Sequence, residues 1–353
     1  MSEHGQGQGG TGTAVLQGCG STHAPSRPLA GRRAWLVTDG KAGHEAQAEG
    51  VAVALGVDYE WRRVAPRGIA KVLAPWGPAP RDFSPAPPWP GIVIGIGRTA
   101  IPALRLVRKR AGAATFAVAL QDPRTGAGVA DLVWVPEHDR LRGINVVTTL
   151  TPPNRFTTEL LARLRAEPDA AIDALAAPRV MLAIGGTSKV WRFTREDGDR
   201  LAAAIARLGA DGASFMMTPS RRTPAPVADA IAAALGPFPH VVWRGEGDNP
   251  YARFLAKADA IVVTADSVSM TGEACASGRP VYVFRPSGGS GKFDTFHAAL
   301  QRCGATRPLQ PETRLDLGWH ARPISAADTI AREIEARWVS RARHLGPLME
   351  TRP

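Results

Sequence analysis

The chain has 353 residues, 44% of them hydrophobic, and 43 Lys and Arg against 32 Asp and Glu give it a formal charge of +11. One hydrophobic core stops growing beyond about 250 to 300 residues, so two domains with separate cores are expected, and the positive balance favours anionic partners. The sequence has no apolar run of transmembrane length, no nucleic-acid-binding motif, and no metal-ligand spacing among Cys19, Cys275 and Cys303, which argues against a spanning segment, nucleic acid and structural zinc.

Residues 1–33 are rich in Gly, Gln, Ser and Thr and lack the apolar centre of a signal peptide, so a disordered tail on a cytoplasmic protein is expected. From Ala34 the runs AWLVTD, GIVIGIG, ATFAVAL, DLVWVP and INVVTTL read as strands. Helical patterns lie near His44 to Leu55, Arg98 to Arg110 and Phe156 to Ala166. Alternation of this kind predicts an α/β domain with a parallel sheet over residues 34–165.

In open parallel sheets ligands sit beyond the carboxyl ends of the strands, so the loops after strands are the candidates for chemistry. The first such loop holds Asp39, Gly40, Lys41, Gly43 and His44: two glycines for close backbone approach, one cation and one imidazole. His44 is the candidate general base toward an acceptor hydroxyl, with Asp39 orienting it. A capped turn bearing a surface histidine is the alternative. Between Ala74 and Pro90 a proline-dense loop must run on the surface; its Trp76 and Trp89 either grip an acceptor or a membrane, or tuck back onto their own domain. The run LRLVRKR, Leu104 to Arg110, reads as a solvated helix face, with an acidic-lipid contact as the alternative. After the strand ATFAVAL, Asp122 is a second candidate base and Arg124 a phosphate contact.

Residues 166–178, with two prolines among small residues, mark an expected linker. A second series over residues 179–324 runs RVMLAIGG, ASFMMTP, HVVWRG, AIVVTAD and PVYVF, separated by helices near Arg195 to Leu208, Pro226 to Leu235, Pro250 to Ala258 and Val268 to Ser277. Its first loop carries Gly185, Gly186, Thr187, Ser188 and Lys189, which suit a phosphate cradle with Lys189 neutralising a leaving diphosphate, although this is not a Walker A motif. Arg221 and Arg222 follow the second strand and suit bidentate phosphate contacts. Asp266, Ser267 and Ser269 offer capping oxygens at the last helix, whose start at Ser267 to Met270 attracts anions, and Glu273 lies within reach of a ribose diol. Plain capping explains Asp197 and Asp199 better than a metal pair does. The glycines at Gly95 to Arg98 are only a fragment of a dinucleotide fingerprint, and a Gly-x-Ser-x-Gly elbow is absent, which argues against a nicotinamide enzyme and a serine hydrolase. Residues 325–353 carry an amphipathic helix expected to pack across the domain junction.

Taken together, TDGKAGHEAQAEGVAVALG, IGIGRTAIPALRL, QDPR, TLTPPNRFT, IGGTSKVWRF, TPSRRTP and GDNPYARFLAKADAIVVTADSVSMTGEACASGRPVYVF resemble the bacterial branch of the mitochondrial fission protein family of the elongated-mitochondria type. The resemblance spans about Ala34 to Phe296, and Asn249 to Tyr251 (NPY) followed by Thr264 to Met270 (TADSVSM) is its most specific part. It implies an α/β fold of two Rossmann-like domains facing each other across a cleft, as in GT-B glycosyltransferases and nucleotide-sugar 2-epimerases. The last strand-turn-helix also looks like the donor site of the transferase that adds N-acetylglucosamine to the lipid-linked peptidoglycan precursor. That likeness implies a ribose contact for Glu273 and an acceptor-side role for His44, and Asn249 is a further expected nucleotide contact.

The expected function is therefore metal-independent glycosyl transfer from a nucleoside-diphosphate sugar to a cell-envelope or lipid-linked acceptor, with no cofactor beyond that donor substrate. An epimerase on the same donor is the nearest rival. A non-catalytic scaffold at an anionic membrane surface, on the inner face of the membrane, is the third reading.

Overall fold

A computed structural model describes residues 27–66, 68–220, 222–319 and 322–345. The first half contributes β1 (Arg33–Thr38), α1 (Ala42–Leu55), β2 (Asp58–Arg63), α2 (Ile69–Leu73), β3 (Ile92–Ile96), α3 (Ile101–Ala111), β4 (Phe116–Leu120), β5 (Leu132–Pro136) and β6 (Val146–Thr149). The six strands form one parallel sheet in the order β2-β1-β3-β4-β5-β6. Side chains alternate across a strand, so β1 sends Leu36 to the face covered by α1 and Trp35 and Val37 to the face covered by α3. Both faces are buried, which is why these strands read as continuous apolar runs. The sequence reading missed β2, DYEWRR, because at the sheet edge it alternates only between exposed and half-buried positions.

The second half contains α4 (Thr158–Ala166), α5 (Ala170–Asp173), β7 (Arg179–Ile184), β8 (Trp191–Arg192), α6 (Arg195–Ala210), β9 (Ser214–Pro219), α7 (Ala225–Leu235), β10 (His240–Val242), α8 (Tyr251–Lys257), β11 (Ala260–Thr264), α9 (Val268–Ala276), β12 (Val281–Phe284), β13 (Ser287–Gly288), α10 (Gly291–Arg302) and β14 (Arg307–Pro308). Its parallel sheet runs β10-β9-β7-β11-β12-β14, so strand order reverses between β7 and β11. A ligand crevice forms at such a switch point. A separate antiparallel ribbon, β8 with β13, joins the loops that follow β7 and β12. Asp197 closes a capping box with Thr194 at the start of α6 and also accepts the Ser287 amide at 3.0 Å and the Ser287 hydroxyl at 3.1 Å, so this carboxylate locks the ribbon onto its helix.

The chain crosses between the domains earlier than the expected 166–178 linker. Phe156 and Leu161 pack with Met181, Phe254 and Val263 in the second core, so α4 belongs to the second domain and the crossing lies after Thr149. Pro168 and Pro178 suggested a boundary because they interrupt helix, and a break in secondary structure need not be a break in packing. The final helix, α11 (Ala326–Leu345), returns to the first domain, where Ile330, Ile334 and Trp338 form an i, i+4, i+8 stripe in the core beside α1. Each such burial contributes roughly 1.5 to 3 kcal/mol. The expected 1–33 tail also needs correction: residues 1–26 lie outside the described residues, but Leu29 is fully buried in the first core.

Candidate active-site cleft

A cleft of about 800 Å³ opens between the two sheets, and its first-domain wall is built from the carboxyl ends of four strands. Asp39 and His44 follow β1, Gly97 to Thr99 follow β3, Gln121 to Arg124 follow β4, and His138 and Asp139 follow β5. Opposite them stand Val268 and Ser269 at the start of α9, and Lys292, Phe293 and Phe296 on α10.

His44 lies in the first turn of α1, and its Nδ1 lies 2.8 Å from Asp39 Oδ1. Burial raises the Asp39 carboxyl, but hydrogen bonds from Lys41 and His44 outweigh that and hold it below the ordinary carboxylate range. An ionised Asp39 selects the tautomer with hydrogen on Nδ1, which leaves Nε2 as a proton acceptor. The imidazole lies against Gly97, where a Cβ would come within 2.7 Å of His44 Cε1. Gly97 also has φ +75°, a region that favours glycine. Gly40, with φ +79°, lets the loop turn from β1 into α1, and Gly43 sits in the first helical turn; neither lines the cleft.

Asp122 lines the cleft, but its loop already uses the carboxylate: Oδ1 accepts the Arg124 amide at 2.8 Å and Oδ2 lies 3.6 Å from Arg124 Nε. Gln121 and Arg124 both hold positive φ, so the loop stores strain of the kind found at functional sites. Across the cleft, Lys292 lies 3.3 Å from Asp139 and links the two domains. Burial, together with the Lys292 ammonium, pushes the neighbouring His138 imidazole below its ordinary value.

On the second domain, Ser267 caps α9 by accepting the Met270 amide at 3.2 Å. The amides of Val268 and Ser269 have no hydrogen-bond partner among the described residues. Asp266 does not cap this helix. Its carboxylate is fully buried, accepts the Gly186 amide at 3.0 Å and the Thr264 hydroxyl at 2.7 Å, and lies 3.4 Å from Arg222.

The cradle expected at Gly185 to Lys189 is therefore engaged within the protein. Gly185 donates to Thr264, Gly186 to Asp266, Thr187 to the Arg222 carbonyl and Ser188 to the Trp191 carbonyl. A carboxylate holds the Gly186 amide that a phosphate would need, and none of these residues, Lys189 included, lines the cleft. Arg221 lies outside the described residues. Asn249 accepts the Tyr251 amide at 3.0 Å and shapes the start of α8 away from the cleft wall.

Glu273 is also absent from the cleft wall. Tyr251 Oη donates to it at 2.6 Å, and burial pushes its carboxyl up to about 7 despite that bond and the nearby Arg155 charge. The structure thus brings Asp39, Lys41, His44, Asp122, Arg124 and Ser269 together around one cavity, while the other described candidates do not line it.

Sequence reading missed several polar residues of the cavity, including four charged, imidazole or hydroxyl-bearing groups that matter to its chemistry. Arg98 and Thr99 end the glycine run set aside as an incomplete fingerprint, His138 follows an apolar strand, and Lys292 closes the run SGGSGK. Position just after a strand was the available signal for the first three. Among the described residues no group of three or more His, Cys, Asp or Glu is placed to hold a metal ion, and no helix is long and apolar enough to cross a membrane.

The profile of the family described as Mitochondrial fission ELM1 matches residues 42–338. The mitochondrial fission protein ELM1 of Arabidopsis thaliana is 33% identical over 276 residues, covering 70% of this chain and 65% of that relative, so the chain spans just under two thirds of its length. The uncharacterized protein RP120 of Rickettsia prowazekii is 33% identical over 107 residues, 29% of this chain and 30% of that one. Among solved structures, the putative UDP-N-acetylglucosamine 2-epimerase of Listeria monocytogenes matches with a TM-score of 0.53 at 14% identity, over 92% of this chain and 98% of that one. The UDP-GlcNAc 2-epimerase of Methanocaldococcus jannaschii matches with a TM-score of 0.52 at 11% identity, over 89% and 100%. Likeness at such low identity is one of fold: two parallel-sheet domains arranged as in GT-B proteins.

Proposed function

The chain belongs to the mitochondrial fission ELM1 family, and from that premise and its cleft we propose a metal-independent glycosyltransferase that takes a nucleoside-diphosphate sugar as donor. One observation carries the reading: the His44–Asp39 pair and the open start of α9 face the same cavity from opposite domains. His44 Nε2 takes the proton of an acceptor hydroxyl, the oxygen attacks the anomeric carbon, and the carbon–oxygen bond to the diphosphate breaks with its electron pair on the leaving group. The Val268 and Ser269 amides and the Lys292 ammonium stabilise the charge that develops there. A cavity near 800 Å³ falls within the usual size range of small-molecule sites.

The test is a thermal-shift panel of uridine, guanosine, adenosine and cytidine diphosphates, followed by the corresponding sugars. One nucleotide raises the melting temperature saturably, by mass action. His44→Gln keeps that shift and loses donor turnover. No shift at millimolar ligand overturns the reading. Release of an epimer from donor alone replaces transfer with epimerisation in the same cleft.

A further inference from the structure

Eight large apolar side chains stand exposed among the described residues, and four of them fall within one short segment: Ile69 is 76% exposed, Val72 74%, Leu73 48% and Trp76 65%. The segment is α2 and the turn after it, at the rim of the cleft, which Val64, Ala65, Pro66 and Lys71 help to line. A contiguous apolar patch of this kind marks an interaction surface, unlike single exposed residues.

Hydrogen bonds hold the patch in its exposed position. Arg105 on α3 donates to the carbonyls of Trp76, at 2.9 Å, and Gly77, while the Gly77 amide donates to the Leu73 carbonyl at 2.9 Å. Arg110 fixes the Pro85 carbonyl further along the same loop at 3.1 Å. The run LRLVRKR therefore uses two of its arginines to pin the proline-dense loop. The two tryptophans expected to act together part company: Trp89 packs on Trp35 at 6.1 Å, and Trp76 stays outside.

We infer that Ile69, Val72, Leu73 and Trp76 dock the protein on an anionic lipid bilayer. Charge selects this occupant: residues 64–82 carry Arg67, Lys71 and Arg81 against the single carboxylate Asp82, on a chain of net charge +11. Apolar side chains with a tryptophan and a flanking lysine are the composition of a segment that lies in the interface plane. Four side chains fall short of the roughly 20 to 30 residues per side that a stable protein interface uses. Docking by this rim places the mouth of the cleft beside the bilayer, where an acceptor carried by the membrane is within reach. The inference stands independently of the sugar-transfer reading, because the patch shares no proposed catalytic group with it.

Cosedimentation of the full chain with vesicles tests it. The wild type pellets with phosphatidylcholine vesicles containing phosphatidylglycerol, less as salt rises, and little with phosphatidylcholine alone. The double variant Val72→Ser/Trp76→Ser lowers the bound fraction about tenfold at unchanged melting temperature, and Lys71→Glu weakens binding only to the anionic vesicles. Equal pelleting of wild type and double variant, or no pelleting of the wild type, overturns the inference. A concentration-dependent dimer in gel filtration that the double variant abolishes also overturns it, by assigning the patch to a second copy.

Discussion

Tyr251 donates a 2.6 Å hydrogen bond to Glu273, joining the start of α8 to the middle of α9 just behind the cleft. Burial and the Glu273 charge drive the phenol well above its ordinary value, so it stays a donor, and burial pushes the Glu273 carboxyl up to about 7. The segments NPY and TADSVSMTGE thus meet as one pair of side chains.

This pair makes stability depend on pH. The Glu273 carboxyl titrates near 4.5 when unfolded and near 7 when folded, so the folded protein holds the proton more tightly between those values. Its contribution is greatest below about 4.5, declines as pH rises to about 7 and then levels, for a total on the order of 3 kcal/mol. Glu273→Gln removes that decline in urea titrations across the window. Tyr251→Phe removes a bond that lowers the carboxyl and extends the decline above pH 7. Parallel pH profiles for the wild type and Glu273→Gln would refute the assignment.

Gly97→Ala places a methyl group against His44 and forces an unfavourable φ on alanine. The backbone cost alone is about 1 to 2 kcal/mol. Chemical denaturation reads that loss, and the His44 ring resonances shift because the imidazole must leave Asp39. Unchanged resonances would show that the glycine is not the seat of the ring.

Asp266→Ala removes the acceptor of the Gly186 amide and strips Arg222 of a partner. Leaving a buried donor unpaired costs about 1 to 3 kcal/mol. The vacated position suits an anion, so inorganic phosphate raises the melting temperature of Asp266→Ala more than that of the wild type. Equal shifts in both proteins would show that no anion enters the loop.

Arg105→Ala releases the Trp76 and Gly77 carbonyls. With the guanidinium partly in solvent, the stability lost is about 1 kcal/mol, and the clearer effect is faster cleavage within residues 74–90 under limited proteolysis. A cleavage rate equal to that of the wild type would show that the loop is held by other contacts.

Much of the fold is legible in the residues because hydrophobic period is a local property. AWLVT, FAVAL and AIVVT bury both faces and read as strands without further context, while edge strand DYEWRR does not. Part of the candidate site was legible for a related reason. A loop directly after a strand lies at the ligand end of a parallel sheet, so Asp39, His44 and Asp122 were placed by chain position alone.

By itself the sequence determined two parallel-sheet domains, the strand-end loops and the histidine beside its aspartate, since each follows from neighbours a few residues apart. Tertiary structure alone decided which groups those loops use. Gly186 gives its amide to Asp266, 80 positions away, Arg105 pins a turn 28 positions before it, and α4 packs on the domain that follows it. Hydrogen-bond satisfaction and core packing are contests among all groups brought within reach, and only the folded chain settles which partner wins.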